Sequence, residues 1–501
     1  MAAPKKILFI CSSDYGQANV ILATSYALMA TGAPLEMHVA SEHPMKPEVE
    51  HTMALADETI KTAAPYKLHF HGITGVSHFE AMSRPQAGVM DAWSLPLPNF
   101  SNASVFMGRF SYGAMPWEPE EVVDLYAQTV SIIKEVQPEL TVIDPLYLPG
   151  LTAAHYLKVK WTVLAPNTIK DFAVPCQPKG AALWKYPVIG SGLPYPVPWS
   201  QMAHNIGLTL ILAKTMLTDN RTKTAVRLLR EHTGDENLQM MSLAELGVVH
   251  APPPGLRLIS AFSPDLDYPL DIIPSHVIPV GPIVRYAKKL ADIDPTLDQW
   301  LSRGPTVYIN LGTQLKMTPA EALEMALSVR DLLDAAGASS KMQVLWKLKR
   351  KAGDAKDGEW KVVHDTLLPE IETGRVRITS WVKADPCSIL LSGRVVCSVH
   401  HGGANSHHEA LAAGVPQVVL PSWIDCYDFG NRVELNGVGI RANKTAAPRW
   451  ARAELGTALK DILIGEKAVA FRENAKKLAE KHPEHAGRTK AADVILDILN
   501  T

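Results

Sequence analysis

The sequence predicts an α/β protein made of two doubly wound domains that face each other across a cleft. Three observations carry this. The chain has 501 residues, too many for one ordinary core. Short apolar runs alternate with segments of helical spacing in both halves of the chain. The rhythm also breaks after residue 285 and resumes after residue 300, with a polar stretch between.

Composition narrows the function. The chain is 47% hydrophobic and 20% charged, with net charge −2. Taken as a whole, that balance offers neither nucleic acid nor an anionic membrane the concentrated Lys and Arg they require. A ligand-binding globular enzyme fits better. The five cysteines, at 11, 176, 387, 397 and 426, include no CxxC pair. This speaks against a disulfide framework or structural zinc and for a reducing, cytoplasmic compartment. No segment is long and apolar enough to span a bilayer. The run at residues 7–11 is too short for a signal-peptide core and reads as a buried first strand.

The elements follow in order. Residues 7–10 form a strand, a helix runs from Val20 towards a stop at Gly32, and residues 35–40 form the next strand. This βαβ unit should cross over right-handed. Strands at 140–143 and 161–164 flank a helix around 152–157. The Pro- and Gly-rich stretch 175–199 reads as an irregular loop. Residues 201–247 read as helical and strongly apolar, either a core helix or a wall of an acceptor pocket. The first domain spans 1–285, a linker 286–300, the second domain 301–480, and a C-terminal helix 481–501 that could fold back on the first domain. In the second domain the strands are 307–311, 343–347, 376–378, 395–399 and 417–420. Thr318-Pro319-Ala320-Glu321 is a capping box with Pro at the first helical position, opening a helix to about residue 336. Ligands of such sheets bind beyond the carboxyl ends of the strands.

One segment carries the chemistry. The strand ending at His400 runs into His401-Gly402-Gly403-Ala404-Asn405-Ser406, where a helix begins. Adjacent glycines let the backbone approach a ligand closely. A helix N-terminus offers free N–H groups and positive potential, which suit a diphosphate. Pro421-Ser422-Trp423-Ile424-Asp425 lies at the end of the next strand, facing the same cleft. Alone, Ser406 and Glu409 could be only a capping box, and Trp381 and Trp423 only core aromatics. The histidines 400, 401, 407 and 408 match no zinc spacing, so no metal is expected. No GxGxxG follows the first strand, which disfavours a nicotinamide dehydrogenase.

The run HGGANSHHE, the triplet GVP and the run PSWID, at this spacing, resemble the family 1 UDP-glycosyltransferases, which have the GT-B fold. Trp381, Gly312-Thr313 and Val280-Gly281-Pro282 agree, and WxDxYDF with RVE is most similar to fungal members. The resemblance is strong in the second half and weak between about residues 60 and 250. It implies that Trp381 stacks on uracil while the Val382 backbone reads the base edge. It implies that Glu409 accepts the ribose hydroxyls, and that Gly312, Thr313, His401, Gly403, Asn405 and Ser406 hold the diphosphate. Trp423 and Asp425, with Cys426, would orient the sugar. The reaction implied is metal-free displacement at the anomeric carbon with inversion, from a UDP-sugar co-substrate, by default UDP-glucose, to a small lipophilic or phenolic acceptor.

Two departures stand out. The family's Asp-Gln pair is Asp425-Cys426 here, and a thiol is a poor hydrogen-bond partner; Asp428 could supply the missing contact. Where the family places a histidine or an aspartate in the first domain, this chain has Gln17, and glutamine is no base near neutral pH. Asp144 matches the aspartate that orients that histidine. Either Asp14 or Asp144 takes the acceptor proton directly, or the acceptor is acidic enough to need little help. A nucleotide-sugar-binding protein without transfer, or an epimerase or hydrolase acting on the donor, are the other readings.

Overall fold

The computed structural model describes residues 4–62, 65–337, 339–351, 353 and 357–501. Two parallel sheets organise them. The first holds β1 (Lys5–Ile10), β2 (Leu35–Glu42), β3 (Tyr66–Ile73), β4 (Leu140–Ile143), β5 (Trp161–Ala165), β6 (Leu258–Ser260) and β7 (Val277–Pro279), in the order β3-β2-β1-β4-β5-β6-β7. The second holds β8 (Thr306–Asn310), β9 (Gln343–Lys347), β10 (Val376–Thr379), β11 (Val395–His400), β12 (Gln417–Val419) and β13 (Gly439–Arg441), in the order β10-β9-β8-β11-β12-β13. Both are doubly wound. The order reverses beside β1 in one and β8 in the other, so the two switch points lie at the carboxyl ends where ligands bind in such folds.

Alternation along β1 shows why both faces are covered. Ile7 and Phe9 point into one apolar cluster, and Leu8 and Ile10 into another. A strand buried on both faces must be apolar throughout, as parallel strands are. Helix α1 (Tyr15–Ala30) covers the first face and α3 (Pro119–Val136) the second, while α2 (Phe100–Met107) packs into a separate apolar cluster. In the second domain α5 (Pro319–Ala336) opens on the expected capping box: the Glu321 N–H donates to Thr318 Oγ1, and the Thr318 N–H to the Glu321 carboxylate at 2.7 Å.

The stretch 201–247 differs from the continuous helix expected. It contains α4 (Met202–Thr218) and a second helix, Asn220–Thr233, separated at Asp219. Asp219 leaves helical geometry and accepts the Thr222 N–H at 3.0 Å, so it caps the second helix. Gly234, at φ +70°, then ends the helical run. The expected linker differs too. Residues 290–301 form two short helices, and Leu290, Leu297, Trp300 and Leu301 are buried against the second sheet. Leu290, Leu297 and Trp300 thereby attach this half of the linker to the second domain. The short strands β6 and β13, and β3 with its alternating Lys and His, escaped the sequence reading.

Past α6 (Ala404–Ala412) and α7 (Cys426–Leu435), the chain closes with α8 (Ala468–Lys481) and α9 (Ala486–Asn500). The first packs beside α6, and the second crosses to the other domain. Ala491, Ala492, Ile495 and Ile498 are buried there with α1 residues. At Gly487 a Cβ would lie 1.9 Å from the Pro282 carbonyl oxygen, so only glycine lets the helix cross so closely.

A second tie runs the other way. Helix α7 belongs to the second domain but lies against the first. Arg432 donates through Nε and Nη2 to Asp267 Oδ1 at 3.0 and 2.7 Å, and through Nη2 to Thr168 Oγ1 at 3.1 Å. The Lys170 ammonium stands 2.6 Å from Asp428 Oδ2, and the Tyr268 hydroxyl donates to Asp428 Oδ1 at 2.9 Å. Buried charges persist only when paired. The two pairs therefore hold the lobes in one relative placement.

Candidate active site

The glycine turn lies where β11 gives way to α6. Gly403 is the N-cap and uses no side-chain cap, and the first turn carries no acid. Ser406 is therefore already inside the helix, which removes the capping-box reading of Ser406 and Glu409. Gly402 has φ +94°, and a Cβ there would meet the Cys426 carbonyl oxygen at 2.8 Å. The His401 ring occupies the space between Gly312 and Gly403: a Cβ on either would lie 2.7 or 2.6 Å from it. Burial holds His401 down to about 3, so it is neutral, and its Nδ1 has no partner. The exposed Thr313 follows Gly312, and its carbonyl accepts the Lys349 ammonium at 2.9 Å. Across the cleft, Asn405 Nδ2 donates to the Tyr15 carbonyl at 3.1 Å, at the first residue of α1. Two helix N-termini thus face the same space, one from each domain.

Trp381 follows β10 and is 63% exposed. The Lys347 ammonium lies 4.7 Å from its ring centroid, and Lys349 lies 5.7 Å away. Val382 packs on the apolar cluster beneath. Burial, then the Asp385 carboxylate, push Glu409 up to about 8, while Arg285 and Lys347 oppose them. Lys347, at the end of β9, therefore touches the Trp381 ring and acts on Glu409 together. Sequence reasoning missed it; a lysine ending an otherwise apolar strand was the available signal.

At the sugar end, Trp423 is half-buried. Its ring stacks with Trp93 of the first domain at 6.0 Å and lies 5.2 Å from His401. Burial, then the Asp171 carboxylate, raise Asp425 to about 7. Two expectations need correction. Cys426 is fully buried beneath Gly402, and burial pushes its thiol well up, so it offers a sugar no surface. Both carboxylate oxygens of Asp428 are engaged by Lys170 and Tyr268, so Asp428 does not replace the missing amide. The histidines pair internally: His400 and His407 each contact Gln417 Oε1, at 2.9 and 3.0 Å. Among the described residues no three His, Cys, Asp or Glu side chains are placed to hold a metal ion.

The first-domain side gathers acids at the ends of β1, β2 and β4. Asp14, the N-cap of α1, receives Ser77 Oγ on Oδ1 and both Ser12 Oγ and the Phe79 N–H on Oδ2, at 3.0, 3.0 and 2.8 Å. Three donors already use most of its accepting capacity, leaving little of it for an acceptor proton. Gln17 lies in the first turn of α1, with a buried, unpartnered Oε1. Asp144 is 1% exposed; the Leu146 N–H donates to Oδ1 at 3.0 Å and Oδ2 has no partner. Burial raises it to about 7.

Two neighbours were not anticipated. Glu42 ends β2, accepts the Ser13 N–H at 2.6 Å, keeps Oε1 unpartnered, and is raised by burial to about 7. His78 is buried beside Asp14 with an unpartnered Nε2, and burial lowers it. Between the lobes, α2, α4 and Trp93 build an apolar cluster that reaches Trp423, Ile424 and Tyr427.

A twin parallel-sheet fold, with a glycine turn facing a cleft between lobes, defines a GT-B glycosyltransferase. Residues 364–499 match the family described as "Erythromycin biosynthesis protein CIII-like, C-terminal domain". The chain is 34% identical over 441 residues to the glycosyltransferase sdnJ of Sordaria araneosa, covering 87% of this chain and 83% of that one. It is 31% identical over 227 residues to UDP-glycosyltransferase 84A3 of Arabidopsis thaliana, covering 42% and 44%. The crystal structure of a UDP-glucose: anthocyanidin 3-O-glucosyltransferase in complex with UDP superposes over all of both chains, with TM-score 0.59 and 15% identity. The chain belongs to the family 1 UDP-glycosyltransferases and is a glycosyltransferase with a close fungal relative. No helix among the described residues is long and apolar enough to cross a membrane.

Proposed function

We propose that the protein transfers a sugar from a UDP-sugar, by default UDP-glucose, to the hydroxyl of a small lipophilic or phenolic acceptor, with inversion and without a metal or other cofactor. The observation that carries this reading is the pairing of two environments in one cleft. Facing helix N-termini, with no acid in the first turn of α6, suit a diphosphate. The aromatic and aliphatic cluster around Trp93 and Trp423 suits an apolar acceptor. In this reading Trp381 takes uracil, Glu409 the ribose, and Gly312, Thr313, His401, Gly403, Asn405 and Ser406 the diphosphate. Trp423 and Asp425 take the sugar. The acceptor oxygen bonds to the anomeric carbon as the bond to UDP breaks, and UDP leaves with the electron pair. The hydroxyl proton passes to the Asp144 carboxylate.

Phenols are favoured over alcohols. Asp14 is occupied by donors, Glu42 and His78 are nearly inaccessible, and Asp144, 1% exposed with only Oδ2 free, is a hindered base. General-base help is worth about a hundred- to ten-thousand-fold, and an acidic hydroxyl needs least of it. The test incubates the protein with UDP-glucose, chelator and a panel of phenols and hydroxylated lipids. Acceptor-dependent UDP release and a β-linked product support the reading. UDP binding without turnover, or donor consumption without acceptor, defeats it.

A further inference from the structure

The whole-chain charge balance hides a local asymmetry. Between Asp171 and Asp219 no acidic residue occurs, while Lys179, Lys185 and Lys214 do. This acid-free stretch contains α4, whose two faces differ. Asn205 and Leu208 are fully buried, and Leu208, Ile211 and Leu212 join the apolar cluster that reaches Trp423. The opposite face is apolar as well, yet open to solvent. Leu210 is 62% and Leu217 76% exposed, and Ala203, Ala213 and Lys214 lie exposed along the same line.

The stripe extends beyond the helix. Trp199, in the turn just before α4, is 84% exposed and continues it. Phe100 of the neighbouring α2 is exposed beside it, its ring 5.1 Å from that of His204. From Trp199 to Leu217 the ridge runs about 27 Å at helical rise. A cleft on adjacent elements is lined by Lys179, Trp184 and Lys185, together with Asp271. Isolated exposed apolar side chains are ordinary, but a continuous ridge flanked by lysines is not.

We infer that this face of the first domain docks on an anionic lipid surface. The charge pattern selects that occupant. An interfacial helix buries Leu and Trp at the headgroup boundary, while Lys179, Lys185 and Lys214, set against the one carboxylate of Asp271, meet anionic lipid. The helix that touches the lipid on its outer face lines the apolar cluster on its inner face. A membrane-dissolved acceptor therefore has a short route to Trp423. The docking itself does not depend on the acceptor proposed above.

The test floats the full chain with vesicles of phosphatidylcholine, and with vesicles in which about one third is phosphatidylserine. The protein should float with the anionic vesicles and much less with the neutral ones. Leu210→Glu combined with Leu217→Glu should reduce the bound fraction about ten-fold or more, with UDP affinity unchanged as the check on folding. A wild-type chain that floats with neither vesicle overturns the inference, as does a double variant that floats undiminished. A concentration-dependent dimer dissolved by the double variant, with vesicles left bare, also overturns it and assigns the face to a second copy. UDP affinity is read separately, so loss of lipid binding and loss of the transferase reading cannot be confused.

Discussion

Arg432 of the second domain is buried in the first, with Nη2 2.7 Å from Asp267 Oδ1 and its guanidinium 4.5 Å from the Tyr268 ring centroid. It sits in the last turn of the helix that follows Trp423 and Asp425, so the ion pair anchors that helix to the first domain. Removing one partner of such a pair leaves a buried charge unmatched and typically costs about 3–5 kcal/mol. Arg432→Ala should therefore lower the urea midpoint sharply. Arg432→Met with Asp267→Asn should recover part of the loss, because the asparagine oxygen still accepts the Lys170 or Tyr268 N–H that Asp267 now accepts. Equal midpoints for Arg432→Ala and wild type would mean the pair contributes nothing to the interface.

Trp381 and Glu409 should each contribute to UDP affinity measured by calorimetry. Stacking of a base on an aromatic ring is worth about 1–3 kcal/mol, so Trp381→Ala should weaken UDP roughly ten-fold or more. Glu409, raised to about 8, is largely neutral near pH 7, and a hydrogen bond to a neutral group is worth about 0.5–1.5 kcal/mol, so Glu409→Ala should weaken UDP several-fold. Lys347 lies over the Trp381 ring and acts on Glu409. Lys347→Met should therefore also weaken UDP. Unchanged affinity in Trp381→Ala would remove uracil from that face.

The buried histidines make an acid-sensitivity prediction. Burial lowers His400 to about 4 and His408 to about 3. A depressed histidine binds its proton in the unfolded chain first. Stability is therefore complete above about pH 6.5 and falls as pH drops towards 4. Buried carboxyls with raised values act oppositely in this window, so the comparison must be between variants. His408→Gln should flatten the fall in stability between about pH 6.5 and 4, by up to about 1.4 kcal/mol per pH unit. An unaltered slope would mean that His408 does not titrate with unfolding.

Much of this molecule was legible in the sequence wherever the signal was local. The capping box at Thr318 and Glu321 and the strand at Gln343–Lys347 fall where the pattern put them. The glycine turn is legible for the same reason: strand end, glycines and helix start are contiguous. What escaped depends on partners distant in the chain. Asp428 reads as a spare sugar ligand until Lys170, 258 residues away, is seen beside it. Arg432 reads only as part of the RVE motif until Asp267, 165 residues away, is placed. Glu42 and His78 gain meaning only when the ends of β1, β2 and β4 converge. The Cys426 expectation failed because one residue further along a tight turn moves the side chain from the cleft to the core.

The acceptor series tests the missing base. With Gln17 where a histidine would stand, rates should rise steeply with acceptor acidity, from alcohols through phenol to a nitrophenol. Gln17→His should raise transfer to simple alcohols, by up to about a hundred-fold, and change phenol rates little. Complete loss of activity in Gln17→His would mean that Gln17 holds the turn together through contacts a histidine cannot make.

The pH profile of transfer to an alcohol should then report on Asp144. Burial raises this carboxyl to about 7, and only the ionised form can take a proton. Turnover should therefore fall as pH drops below about 7, one limb of the profile belonging to this group. Asp144→Asn should remove the limb and lower the rate about a hundred-fold or more, with UDP affinity nearly unchanged. The same raised value has a stability consequence of opposite sense. The neutral carboxyl suits its apolar surroundings, so its contribution is largest below the unfolded value near 4 and declines as pH rises towards 7. Asparagine cannot ionise, so Asp144→Asn should lose that decline and gain relative stability above about pH 7. If the limb near 7 survives the substitution, Glu42, raised to the same value beside it, is the group that titrates, and Asp144→Asn combined with Glu42→Gln should abolish it.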